Sequence, residues 1–110
     1  QGVTVSLGQD DISDAYYPFG RNNMLEVAFL AAHLLWKTKK QEIESLFEMI
    51  TKNAAIAMNL SDPKIAIGAI ASIVILENQN ITECIRNHSQ PLHVISNGLV
   101  LDFKALSKNI

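Results

Sequence analysis

The chain has 110 residues, 48% of them apolar and only 18% charged, with a formal net charge of −2 near neutral pH. That is one domain's worth of chain at most, unusually apolar and charge-poor for a soluble domain. Its charge balance leaves no basic footprint, so nucleic acid and an anionic membrane surface are excluded as the expected partners. The longest apolar run, around residues 27–36, is far shorter than a membrane span and is interrupted by His33. A single cysteine, Cys84, cannot form an internal disulfide, which makes a reducing cytoplasm the expected setting. Sequon matches at Asn59, Asn80 and Asn87 are read as chance occurrences in a chain rich in Asn and Ser.

In chain order, Val3-Thr4-Val5-Ser6-Leu7 is a short β-branched run that reads as a buried strand. It stops at Gly8, and the adjacent carboxylates Asp10 and Asp11 come at once within a long loop over residues 8–22. On its own, such a pair after a strand serves a turn or a helix cap. A strand delivering carboxylates at its C-terminal end is also how a (β/α) barrel presents catalytic groups. Little precedes this strand, so the chain is expected to be the last strand of a barrel together with the elements C-terminal to it.

A first helix is expected over residues 23–36, opened by Asn23 with Glu26 three residues on. It is apolar nearly all round, and a helix without a polar face should be buried on several sides. The basic cluster Lys37-Thr38-Lys39-Lys40 reads as a solvated loop. Thr38 and Gln41 open a second helix expected over residues 39–58, with Ile43, Leu46, Phe47, Ile50, Ala54 and Ala57 on one face. Asn59 is its expected C-terminal cap, and Asp62-Pro63 a stop. Beyond Pro63 the expected pieces are a strand over residues 71–76 and a short helix from Asn80 to about Asn87. A hairpin comes last, in which residues 92–96 and 99–102 flank an Asn97-Gly98 type I′ turn.

Gly8-Gln9-Asp10-Asp11, Asp14, Tyr17-Pro18, Gly20 and Asn23-Met24-Leu25 together resemble the segment after barrel strand eight in bacterial cytosine deaminases of the metal-dependent amidohydrolase superfamily. Ile50-Thr51, Ala55 and Met58-Asn59-Leu60 resemble the helix near the barrel's end. Residues 68–76 and the Ser96-Asn97-Gly98 hairpin are similar to the small β-subdomain that completes these enzymes. The resemblance implies an α+β fold: the last strand and C-terminal helices of an amidohydrolase (β/α)8 TIM barrel, plus part of that subdomain. Residues 1–62 would be the barrel end and residues 63–110 the subdomain portion.

On the matching positions, the resemblance makes Asp10 a ligand of a divalent metal, iron or zinc, and the group that handles protons of the attacking water. Asp11 and Tyr16 would line the substrate pocket, Tyr16 in the place of an aromatic that stacks on a flat ring. The implied activity is deamination of cytosine or a similar amino-substituted ring, a small-molecule substrate. Gln9 stands where these deaminases carry histidine, and Ser72 where an aspartate or asparagine is usual. The remaining metal ligands belong to earlier strands, so the 110 residues alone are expected to be inactive and to bind no metal. Another amidohydrolase, acting on a cyclic amide, triazine or pterin-like ring, is the nearest alternative. A non-catalytic module that associates through its apolar helix is the alternative of another class.

The remaining candidate residues carry plainer expectations. His33, within an apolar helix, reads as a hydrogen-bonded core histidine, and His88 and His93 as surface or hairpin residues with no metal partner. Cys84 reads as a small packed residue. The all-round apolar helix predicts a homo-oligomer.

Overall fold

In the computed structural model, residues 2–10 and 21–102 are described. They form α1 (Met24–Leu34), α2 (Lys40–Ile50), α3 (Lys52–Ala57), β1 (Ile73–Ile75), α4 (Ile81–Asn87), β2 (His93–Ser96) and β3 (Leu99–Val100). The expected α+β class is what the chain adopts. The strands make one antiparallel sheet in the order β1-β2-β3.

Each helix start has a local cause. The Asn23 side chain accepts from the Leu25 backbone N–H at 3.0 Å and opens α1. The Glu26 carboxylate pairs with Arg21, five residues back. At α2 the expected Thr38 cap gives way to Lys39, whose backbone N–H donates to Glu42 Oε2 at 3.0 Å. Here the helix's own third residue satisfies an orphan donor beyond the first turn. Asn80 caps α4 as expected, accepting from Glu83 N–H at 2.9 Å.

The long helix expected over residues 39–58 is two helices. Thr51 breaks it with φ −124° and ψ −91°, while its hydroxyl donates to the Phe47 carbonyl four residues back at 2.8 Å. A threonine that bonds backward in this way competes with the backbone ladder and bends the helix. The break shifts the buried face from Leu46 in α2 to Ala55 in α3, leaving Ala57 exposed. Asn59 ends α3 with φ 57°, as its cap role requires, and Leu60 N–H donates back to the Ala55 carbonyl at 2.8 Å.

Residues 3–7 are not a buried strand. Among the described residues no strand pairs with them, and a ladder needs a neighbour. Val3 and Val5 are exposed, and the segment is instead moored to helices: Leu7 N–H donates to the Met49 carbonyl at 3.0 Å, and Asn53 Nδ2 to the Val5 carbonyl at 2.9 Å. The hairpin forms as expected, with Asn97 at φ 49° and Gly98 at φ 83°, both left-handed as a type I′ turn demands. Its register pairs Ser96 with Leu99 and Ile95 with Val100.

The core lies between α1 and α4. Leu25, Ala28, Cys84 and Ile85 are buried together, with Ile43, Phe47, Ile50, Leu76 and Ile81 packed against them. It joins residues from both sides of position 62. No helix among the described residues is long and apolar enough to cross a membrane. Much apolar surface stays outside this core: Leu34, Leu35, Trp36, Met58, Ile65 and Ile67 are all more than half exposed.

Candidate functional site

Asp10 sits at the end of the extended segment that α2 and α3 hold through Met49 and Asn53. Its residue is exposed, whereas Leu7 and Gln9 are partly buried behind it. The candidate carboxylate is thus displayed at the surface of the described residues on a moored piece of backbone. Gln9 Oε1 is buried with no hydrogen-bond partner among the described residues. A buried carbonyl oxygen left unpaired costs about 1–3 kcal/mol, and nothing in the sequence announces it. Asp11 and Tyr16 lie outside the described residues.

The described residues resume at Arg21. Arg21 Nε donates to Glu26 Oε2 at 2.8 Å and its Nη2 to the His88 carbonyl at 3.0 Å. Asn23 Nδ2 donates to the His88 carbonyl at 3.1 Å and the Ser89 carbonyl at 3.2 Å. Sequence reasoning assigns Asn23 only a capping role and Arg21 none. Partners 65 to 67 residues away leave no local signal.

The histidines divide. His33 is exposed, not a core residue, because α1 buries only its Leu25 and Ala28 side and His33 lies off it. His93 is exposed on β2. His88 is half-buried in left-handed conformation at φ 31°, its Nδ1 3.1 Å from the Ile85 carbonyl and its ring 4.6 Å from that of Phe29. Cys84 is packed as expected, its thiol within 3.5 Å of the Asn78 carbonyl, and burial pushes the thiol pKa up.

Among the described residues no three His, Cys, Asp or Glu side chains come together closely enough to hold a metal ion. They therefore do not fit a metal centre by themselves. A groove of about 300 Å³ at the end of α1 is lined by Ala32, His33, Trp36 and Thr38, and Asp10 is not among its lining residues.

Residues 1–101 match the amidohydrolase family, and the chain belongs to it. It is similar to N-isopropylammelide isopropyl amidohydrolase from Pseudomonas sp. (strain ADP), with 25% identity over 101 residues. Its structure resembles that of 5-methylcytosine deaminase from Klebsiella pneumoniae, solved with 5-fluorocytosine, with a TM-score of 0.80 and 29% identity over 92% of this chain. The chain spans 25% of the length of each of these proteins, so its fold is a part of theirs.

Proposed function

We propose that these residues form the C-terminal part of an amidohydrolase that deaminates cytosine or a similar amino-substituted ring, hydrolysing a C–N bond outside peptides. The observation that carries this reading is the likeness to the 5-methylcytosine deaminase, which extends over 92% of this chain. In this reading Asp10 contributes one ligand to a divalent metal, iron or zinc, whose other ligands lie outside the described residues. As a carboxylate it also accepts a proton from the attacking water. Asp11 and Tyr16 line the pocket, Tyr16 stacking on the flat ring. The setting is cytoplasmic, and the protein works as a homo-oligomer on a small-molecule substrate.

The test is ammonia release from cytosine and 5-methylcytosine by the complete gene product carrying these residues. Asp10→Ala is expected to abolish turnover, while Asp11→Ala mainly changes the preference between rings. Near-normal kcat in Asp10→Ala would overturn the assignment. The 110 residues alone, supplied with iron or zinc, are expected to release no ammonia above background.

A second reading, an amidohydrolase for a cyclic amide, triazine or pterin-like ring, draws on Gln9 and on the relative named for N-isopropylammelide. Turnover of N-isopropylammelide with no ammonia from either pyrimidine would select it.

A further inference from the structure

The turn between β2 and β3 is held in a way its own hairpin does not require. Asn97 and Gly98 are exposed, and both lie in left-handed backbone, at φ 49° and 83°. A two-residue turn closes on the bond between its flanking residues and leaves the amides of its central pair unused. Here both are taken by the segment just before β1. Asn97 N–H donates to Ser72 Oγ at 3.1 Å, and Gly98 N–H to the Ala71 carbonyl at 2.8 Å. The register that sets Ile73 opposite Ile95 brings residues 71 and 72 alongside the turn.

An asparagine followed by glycine is prone to imide formation, because glycine has no side chain to shield its nitrogen. Nothing lies within 4 Å of the place a Gly98 side chain would occupy, so the surroundings give no cover either. In that reaction the Gly98 amide loses its proton to solvent and its nitrogen bonds to Asn97 Cγ. The Cγ–Nδ2 bond breaks and ammonia leaves. Water then opens the five-membered imide at one carbonyl or the other, giving aspartate or β-linked isoaspartate. An amide whose proton is held by the Ala71 carbonyl, in a turn pinned at both central residues, is withheld from this attack. We propose that Asn97 is a deamidation site gated by Ala71 and Ser72, inert while the turn is docked on them and reactive when it lifts away. Either product carries a new negative charge. The β-linked one also lengthens the backbone by an atom, which puts the Ser96–Leu99 pair out of register.

Peptide mapping of the incubated complete gene product by mass spectrometry reads the rate at Asn97 directly. The folded parent is expected to react about tenfold or more slowly than the same chain in denaturant, since reaction must await local opening. Ser72→Ala is expected to react about fivefold faster than the parent while folded, the worth of one neutral hydrogen bond to an opening equilibrium. In denaturant the two should be equal. Ser72→Thr restores the hydroxyl and should return to the parent rate. A folded parent as fast as the unfolded one overturns the proposal. So does a folded Ser72→Ala at the parent rate, the result that protection by other packing would give. Should Ser72→Ala fail to fold, hydrogen exchange at the Gly98 amide of the parent decides. Protection there upholds the gate, and exchange as free as in the unfolded chain overturns it.

Discussion

Glu42 shows how one carboxylate at a helix start ties stability to pH. The Lys39 backbone N–H bonds its carboxylate, and the nearby Lys37 and Lys39 charges add to the effect, so its pKa is held below the ordinary carboxylate value. A depressed folded-state pKa stabilises the fold above the ordinary carboxylate range, and that contribution is lost as pH falls through the depressed value. Glu42→Gln is therefore expected to melt below the parent at about pH 7, the gap closing by about pH 2. Equal melting temperatures at neutral pH would refute this. Cys84 makes the complementary case, since the thiolate is the reactive form and burial disfavours it. Alkylation of Cys84 is expected to be slow in the folded chain and fast once denaturant unfolds it, as mass spectrometry would read. At this scale the sequence was only partly legible. Asn23, Asn59, Asn80 and Asn97-Gly98 carry their roles in their own chemistry and neighbours. Arg21 and Asn23's second set of bonds depend on groups far along the chain, and no local pattern encodes them.

At the scale of elements, the boundaries with a capping side chain or a required left-handed residue were legible, and the interruption at Thr51 was not. Hydrophobic spacing continues across residues 43–57, so periodicity alone reads one helix. What divides it is the Thr51 hydroxyl turning back to Phe47. Thr51→Ala removes that competitor and is expected to join α2 to α3, raising helical circular dichroism. No change would mean that the break is imposed by packing around Ala55. The hairpin turn gives a sharper measure. Gly98 has φ 83° with open space around its α-carbon, so Gly98→Ala meets no clash but forces an L side chain into left-handed backbone. It is expected to cost about 1 kcal/mol in denaturant unfolding. The run over residues 3–7 failed as a strand for a different reason: β-propensity describes a surface that fits a sheet, and among the described residues no strand pairs with it.

On the scale of the whole molecule, the sequence's excess of apolar residues is visible as surface. The core around Leu25, Ala28, Cys84 and Ile85 is small, and many large side chains lie outside it. An all-round apolar α1 was legible, but which of its faces this chain covers depended on where α4 lands, a non-local fact. Ala28 is fully buried where the helices meet, so Ala28→Leu is expected to overpack the junction and cost about 1–3 kcal/mol. Leaving large side chains wet costs about 1.5–3 kcal/mol each. The 110 residues alone are therefore expected to self-associate at micromolar concentration. Sedimentation as a clean monomer that binds no apolar dye would refute that.

Trp36 gives this association its own optical signal. It is the chain's one tryptophan, it stands just past the end of α1 with φ 56°, and it is 86% exposed. A bulky residue in left-handed backbone is strained, and a large ring left in water adds to the cost. An indole in water emits to the red, and one covered by apolar groups emits to the blue. Dilution should therefore shift the emission redward if a second copy covers this end of α1. Trp36→Gly removes that emission along with the strain, so circular dichroism is the readout, and the variant is expected to melt above the parent.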